Sequence, residues 1–279
     1  MMNRTFILSI AAVLSALVVL LSGCAGPVKN ERELKSATEN VQSIIQSKLA
    51  NLNNAVSDAA EKIARSGLRG EETRGILDRL CKKYPYLVDC SAADPEGKMI
   101  TVTPDEYRRY EGTETANTAA SIKFIQEFRE NKKPMLSGVF RAVEGIDAVV
   151  LVWPVLSEKG EFLGSVSALF KPEVLLGGVI AYQAEVRAME VNVMQTEGLI
   201  IYSSGGTETG KNMFTDPSYK DYPELISLGE TIATQQKGTG VYSFASHSTG
   251  QTTKKTAFWT SVGLHGTNWR IIGIAELVK

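Results

Sequence analysis

The stretch KKPMLSGVFRAVEGIDAVVLVWPVLSEKGEFLGSVSALF, residues 132–170, contains three runs of strand-forming residues. The runs are rich in Val, Leu and Phe, which favour strands, and they cover residues 135–143, 148–155 and 162–170. Two short glycine-containing turns separate them, Glu144-Gly145 and Glu158-Lys159-Gly160. Because turns this short join antiparallel neighbours, the stretch predicts a three-stranded antiparallel meander.

The segments on either side of this meander repeat one order of elements. Ahead of it, a hairpin is predicted over residues 86–102, with Asp94-Pro95-Glu96-Gly97 as a type I turn, and two helices follow it. Beyond residue 180, a hairpin, a helix and three strands recur over residues 191–203, 222–236, 240–245, 256–262 and 269–277. The sequence therefore predicts an α+β fold with two antiparallel five-stranded sheets, each with helices on one face.

A long helix is predicted ahead of both sheets. Residues 28–66 contain neither glycine nor proline, and their apolar residues recur mostly every three or four positions. This apolar stripe consists of Leu34, Val41, Ile45, Leu49, Leu52, Val56, Ala59 and Ile63. Gly67 and Gly70 end the helix, and a shorter helix is predicted over residues 71–83. The stripe must pack on the protein's own sheets or on a second copy, and the sequence leaves both arrangements open.

The chain begins with an apolar run that is short for a membrane span. Residues 6–21 are apolar apart from two serines, whereas a spanning helix needs about 20 mostly apolar residues. The run ends in Leu21-Ser22-Gly23-Cys24, which resembles the lipobox of bacterial and archaeal lipoproteins. The resemblance implies a signal peptide over residues 1–23 and a lipidated Cys24 that anchors an extracytoplasmic protein to the membrane. The alternative is an uncleaved N-terminal anchor.

Two cysteines remain when Cys24 is assigned to lipid. In an oxidising compartment Cys81 and Cys90 favour a disulfide, and the alternative is two ordinary buried thiols. Neither cysteine lies in a Cys-x-x-Cys motif or beside a histidine cluster, so the sequence predicts no metal site.

Composition and motifs argue against nucleic-acid binding and against catalysis. The 279-residue chain is 43% hydrophobic and has a formal net charge of −1, which gives no electrostatic footprint for nucleic acid. The two histidines, His247 and His265, lie in turn-like surroundings without a triad pattern. Glycine-rich phosphate loops, dinucleotide fingerprints and hydrolase motifs are missing from the sequence. We therefore expect a binding protein without a cofactor.

Two stretches carry a resemblance to a known family. They are the quoted meander, with Pro154, Val155, Gly160 and Gly164, and GTNWRIIGIAEL at residues 266–277. Together with the long helix and the two sheets, they resemble the double Cache (dCache) family of PAS-like extracytoplasmic ligand-binding domains. The resemblance implies three segments after the signal peptide: a tether and helices, a membrane-distal Cache domain and a membrane-proximal one, at residues 24–83, 84–180 and 181–279.

In the double Cache family a small molecule lies in the membrane-distal domain, between the sheet and the elements over it. The resemblance implies ligand contacts for Tyr107, Ser137, Arg141, Trp153 and Ser167. Trp153 would supply an apolar wall with one N–H donor, Arg141 would pair with a carboxylate, and the serines would orient a polar group.

One ligand class is disfavoured by the same resemblance. Amino-acid-binding members carry an aspartate near the end of the last strand, and Leu169 occupies the corresponding place. Their Arg-x-Trp-Tyr stretch has only a loose counterpart in EYRRYEG, residues 106–112. We therefore expect a ligand other than a standard amino acid, such as a small carboxylate or a neutral metabolite.

The sequence thus predicts a lipid-anchored extracytoplasmic protein that binds a small molecule. Sensors of the family usually continue into a second membrane helix and a signalling domain, whereas this sequence ends at Lys279. We therefore expect a separate transmembrane receptor, kinase or transporter as its partner. The alternative is a structural lipoprotein whose Cache domains are vestigial and whose long helix binds another protein.

Overall fold

The computed structural model describes residues 27–116, 118–245 and 252–276. The predicted signal peptide, Cys24 and His247 lie outside these ranges. Among the residues inside them, the structure contains no helix that could serve as a membrane span.

The helices and strands follow the predicted order. The α-helices are α1 Glu31–Ser66, α2 Glu71–Lys83, α3 Ala119–Asn131, α4 Pro172–Arg187 and α5 Pro223–Thr234. Short 3-10 helices lie at Asp105–Tyr110 and Pro217–Tyr219. The strands of the first half are β1 Leu87–Ala93, β2 Met99–Thr103, β3 Met135–Leu136, β4 Phe140–Arg141, β5 Asp147–Leu156 and β6 Phe162–Phe170. Those of the second half are β7 Glu190–Gln195, β8 Ile200–Ser203, β9 Gly238–Ala245, β10 Thr252–Leu264 and β11 Thr267–Ala275.

The strands form two antiparallel sheets, which confirms the predicted fold class. The first sheet has the order β2-β1-β6-β5-β3, with β4 also paired to β5, and the second has the order β8-β7-β11-β10-β9. Three details differ from the prediction. The expected strand at 135–143 is divided into β3 and β4, so this sheet has six strands, and α4 was not predicted. The boundary predicted between residues 180 and 181 falls inside α4.

Helix α1 lies along one face of both sheets and joins them. Leu34, Val41, Ile45 and Leu49 are fully buried, and they belong to one apolar core with residues of β5, β6, β10 and β11. The stripe therefore packs on the protein's own sheets, which answers the question that the sequence left open. Asn30 caps the helix at its start by accepting the N–H of Glu33 at 3.0 Å.

The opposite faces of the two sheets are covered differently. In the second sheet, α5 closes an apolar core that includes Trp259, Ile272 and Ile232. In the first sheet, α3 lies over the face opposite α1 but leaves a cavity between itself and the strands. The described helices therefore lie on both faces of each sheet, with α1 on one face and α3 or α5 on the other, whereas the sequence predicted helices on one face only.

The predicted disulfide is not formed in this structure, because Cys81 and Cys90 are both free thiols. The Cys81 Sγ of α2 is directed at the main-chain oxygen of Thr103, 3.8 Å away. Cys90 is buried on β1, and burial, reinforced by hydrogen bonding to Cys81, raises the pKa of its thiol. The alternative of two unbonded thiols therefore describes the pair.

Candidate ligand-binding cavity

The cavity between the first sheet and α3 has a volume of about 600 Å³, within the range of small-molecule sites in proteins. Helix α3 is fixed at its start by a capping box in which Thr118 and Ser121 each bond the other's backbone N–H. It ends at Lys132, which adopts the left-handed conformation. The sheet forms the floor of the cavity and α3 forms its roof.

The floor is built from alternate residues of three neighbouring strands. Side chains of successive strand residues point to opposite faces of a sheet. The cavity face presents Ser91, Val150, Val152, Ser165, Ser167 and Leu169, and the residues between them pack towards α1. The walls are apolar and largely aromatic, with Phe124 and Phe128 from α3 and with Phe140 and Phe162 from the strands. Phe128 and Phe162 meet edge to face, with ring centroids 6.0 Å apart.

Serine hydroxyls supply polar groups on this floor. The hydroxyls of Ser91 and Ser167 lie 2.8 Å apart, within hydrogen-bonding distance across β1 and β6. The Ser137 hydroxyl accepts the backbone N–H of Val150 at 2.9 Å. Each hydroxyl retains hydrogen-bonding capacity for a ligand, since a serine has one donor and two acceptor positions.

One end of the cavity is acidic. Asp89 of β1 is only 3% exposed, lines the cavity, and has a buried Oδ2 without a hydrogen-bond partner in the described structure. Glu144, in the turn before β5, also lines the cavity, and its carboxyl lies close enough to hydrogen-bond the Asp89 carboxyl. Burial raises the pKa of both carboxyls, and the neighbouring Glu144 raises that of Asp89 further. Clusters of three or more potential metal ligands do not occur among the described residues.

The wall between β3 and β4 is held by the second sheet. Residues 137–139, which line the cavity, interrupt the strand predicted over 135–143. The side chain of Gln195, at the end of β7, accepts the backbone N–H of Val139 at 2.8 Å. Thr267 of β11 donates its hydroxyl to the Leu136 carbonyl at 2.5 Å. The second sheet is therefore joined by hydrogen bonds to the cavity wall at Val139 and to the adjoining strand β3 at Leu136.

The structure places two of the five predicted contact residues in the cavity, Ser137 and Ser167. Arg141 is exposed and pairs with Asp147 at 3.3 Å. Trp153 lies on the α1 side of the sheet, where its Nε1–H donates to Asn53 and its ring packs against His265. The expectation that Arg141 and Trp153 point into the cavity is therefore wrong.

Tyr107 also lies outside the cavity lining, on the 3-10 helix, where its ring stacks on Tyr110. It is close enough to the acidic end for the charges of Asp89 and Glu144 to contribute to the raised pKa of its hydroxyl, after the larger effect of burial. Leu169 does line the cavity, and it pairs directly with Asp89 in the sheet. The carboxylate of this chain is thus on the strand next to the expected position.

Replacing Asp89 with asparagine is expected to raise the Tm at pH 7 by about 3 °C or more, the change that about 1 kcal/mol produces in a domain of this size. Because the folded-state pKa of Asp89 lies above its ordinary value of 3.8, the folded protein binds more protons than the unfolded chain above that pH. Stability therefore falls as the pH rises through this window, whereas asparagine carries no charge to desolvate. The Tm of the two proteins, measured from about pH 3 to pH 8, should converge at the acidic end.

The control for this comparison is Asp147→Asn, which removes an exposed carboxylate close to the cavity. It should not reproduce the gain at neutral pH. An Asp89→Asn protein that is less stable than the unmodified protein at pH 7 would contradict the expectation.

Comparisons with known proteins agree with this architecture. The family model described as "HK/GC/Chemotaxis protein-like, sensor domain" matches residues 47–172, which include every cavity-lining residue except Glu197. No curated protein matches the chain.

Several solved structures are similar to the chain. An extracellular ligand-binding receptor from Desulfohalobium retbaense has 27% identity and a TM-score of 0.72, over 88% of this chain and 40% of the receptor. The chain therefore spans well under half of that receptor. The ligand-binding domain of the Pseudomonas aeruginosa amino-acid chemoreceptor PctB, in complex with L-Gln, has 15% identity and a TM-score of 0.58, over 88% and 91% of the two chains.

A third similar structure is the periplasmic sensory domain of the Campylobacter jejuni chemoreceptor Tlp1. It has 12% identity and a TM-score of 0.55, over 88% of this chain and 92% of the other. These likenesses extend over both sheets and the long helix, and the described architecture agrees with the one predicted from the sequence. The resemblance is therefore confirmed: the chain has the double Cache fold of the extracellular ligand-binding sensor domains of chemoreceptors and histidine kinases.

Proposed function

We propose that this protein is an extracytoplasmic sensor module that binds a small molecule in the cavity between the first sheet and α3. The observation that carries the proposal is the cavity itself, which combines aromatic walls, serine hydroxyls and one buried acidic end. Ligand sites are typically mostly apolar spaces with a few polar groups that fix orientation. In the second sheet, Trp259, Ile272 and Ile232 instead belong to an apolar core against α5.

We propose further that Cys24 carries lipid and holds the module at the outer face of a membrane. The Leu-Ser-Gly-Cys motif supports this part of the proposal. A lipid anchor cannot carry a conformational signal across a bilayer, so the ligand or the ligand-bound state would be presented to a separate transmembrane receptor, kinase or transporter. Ligand binding can favour that encounter only if the ligand binds two shapes of the module with different affinity.

The proposal is tested by a thermal-shift screen of the full chain, purified from membranes in detergent, against a broad set of metabolites. A ligand that binds the folded state raises the Tm by an amount that depends on the ratio of its concentration to its Kd. We expect at least one metabolite to raise the Tm in a concentration-dependent manner. Mass spectrometry of the same material should find a chain that starts at a lipidated Cys24.

Two variants test whether the ligand occupies this cavity. Ser167→Leu adds bulk to the floor and should weaken binding by about tenfold or more, equivalent to about 1.4 kcal/mol. Arg141→Ala removes an exposed side chain outside the cavity and should leave the Kd within about twofold. If Ser167→Leu binds the ligand normally, the proposed site is wrong. If no metabolite stabilises the protein, the binding function falls as well, and a structural lipoprotein becomes the better explanation.

A further inference from the structure

The acidic end of the cavity indicates the chemical class of the ligand. We propose that Asp89, assisted by Glu144, binds the protonated amino group of a small organic amine whose carbon skeleton lies along the aromatic walls. This inference rests on the proposed function and makes it more specific. It replaces the small carboxylate or neutral metabolite expected from the sequence.

The first argument is the orphaned oxygen of Asp89. Buried carboxylate oxygens are nearly always hydrogen-bonded, because leaving one without a partner costs free energy. Asp89 is 3% exposed and its Oδ2 has no partner in the described structure. An ammonium group carries three N–H donors and would satisfy this oxygen while it neutralises the charge. A carboxylate ligand would instead be repelled.

The second argument is the surroundings of Asp89, in which the described residues supply no compensating cation. The titratable groups that act on Asp89 in the described chain are Glu144, the Cys81 and Cys90 thiols and the Tyr107 hydroxyl. None of them carries positive charge. Arg141 lies on β4, which pairs with β5, and its guanidinium is turned outward to Asp147. A positive charge at this end would therefore have to come from the ligand.

The remaining walls distinguish an amine from an amino acid. Phe140, Val150 and Leu169 form the apolar surface beside the acidic end, and an aromatic residue such as Phe140 is compatible with a cationic ligand, because the faces of aromatic rings attract cations. The cationic residues that line the cavity are Lys123 and Arg129, both exposed on α3. A ligand carboxylate would thus find no buried positive partner among the described residues, so a simple amine fits this cavity better than an α-amino acid.

Proton release is a second consequence of this geometry. Without a bound ligand, the carboxyls of Asp89 and Glu144 retain a proton more readily than solvent-exposed carboxyls do, since burial disfavours their charged forms. An entering ammonium group favours the charged carboxylates and displaces that proton. Binding should therefore release protons and weaken as the pH falls.

The test uses two carbon skeletons, 3-methylbutyl and 2-phenylethyl, with the full chain in detergent. Each skeleton is offered as the amine, as the alcohol, as the carboxylate with one additional carbon, and as the corresponding amino acid, leucine or phenylalanine. Isothermal titration calorimetry in two buffers of different ionisation enthalpy gives the Kd and the number of protons released. We expect at least one amine to bind about tenfold or more tightly than its alcohol, carboxylate and amino acid, with proton release.

Matched variants locate the charge recognition. Asp89→Asn should weaken binding of the amine by about tenfold or more and change binding of the alcohol by less than about threefold. Asp147→Asn makes the same chemical change at an exposed carboxylate outside the cavity and should leave both unchanged. Because Asp89→Asn is expected to stabilise the empty protein, a loss of amine binding cannot be attributed to unfolding.

Several results would overturn the inference. One is binding of the alcohol, carboxylate or amino acid as tightly as the amine or more tightly. Another is normal binding of the amine by Asp89→Asn. A third is stabilisation of the protein by Mg²⁺ or Ca²⁺ but by neither amine. Failure of both amines also overturns it. If the metabolite screen yields a ligand of another class that depends on Ser167, the proposed function stands and only the amine assignment falls. If that screen yields nothing, both fall.

Discussion

Gly164→Ala is expected to destabilise the protein by about 4 kcal/mol or more, which places it among the most severe single substitutions. Gly164 has a φ of +144°, which L side chains rarely adopt. A Cβ at this position would lie 2.2 Å from the backbone oxygen of Ala93 on the paired strand β1. Since backbone atoms of a sheet cannot move aside cheaply, β1 and β6 would have to separate. Chemical denaturation of the purified variant, or its failure to accumulate as folded protein, measures the effect.

Gly160→Ala is the matched control, because both glycines belong to the motif that resembles the Cache family. Gly160 has a φ of +79° in the turn between β5 and β6, but a Cβ added there would meet no atom within 4 Å. Alanine there should cost only the backbone strain, about 1–2 kcal/mol. Equal stability losses for the two variants would show that the contact with Ala93 is not the cause.

Leu49→Ala is expected to destabilise both sheets together, by about 2–5 kcal/mol, because it leaves a void in a fully buried core. Leu49 lies on α1 between two positions that contact the sheets. Gln46 hydrogen-bonds Gly263 of the second sheet, and Asn53 accepts from Trp153 of the first sheet and hydrogen-bonds His265 of the β10–β11 turn. The Tm should fall by about 2–4 °C for each kcal/mol, in a single transition.

Asn54→Ala serves as the control on the same helix, since Asn54 is exposed. It should change stability by less than about 0.5 kcal/mol. Differential scanning calorimetry shows whether the two sheets unfold in one transition or in two. Two separate transitions for Leu49→Ala, or a loss confined to one sheet, would contradict the role of α1 as the common core of both units.

Local patterns predicted most of the fold, because its elements follow local rules. The stripe of α1 has helical period, and the Asp94–Gly97 turn has the residues of a type I turn. Helix α4 was missed because its run PEVLLGGVIAYQ is apolar and contains Gly177 and Gly178, so it shows no clear helical stripe. The division of the strand at 137–139 depends on Gln195, 56 positions along the chain. A hydrogen bond between residues so far apart in the chain leaves no local pattern in the sequence.

The site was predicted less completely, because contact with the cavity depends on strand register. Trp153 pairs with Val166, and Ser167 pairs with Val152. Trp153 and Ser167 therefore belong to opposite faces of the sheet, and only one of them could line the cavity. Arg141 follows the interruption at 137–139, after which Phe140 and Ala142 face inward instead. Asp89 was overlooked, although a lone acidic residue in the apolar strand YLVDCSAA is a signal for a buried charge.

The hydrogen bonds that join Val139 of the cavity wall to Gln195, and Leu136 of β3 to Thr267, couple the two halves of the molecule mechanically. A molecule that settles against Ser137 or Val139 cannot push the wall outward without stretching these bonds or dragging the rim of the other sheet along. A ligand that displaced residues 137–139 would therefore also shift Gln195 or strain its hydrogen bond to Val139. The segment between β3 and β4 thus links the two sheets through hydrogen bonds.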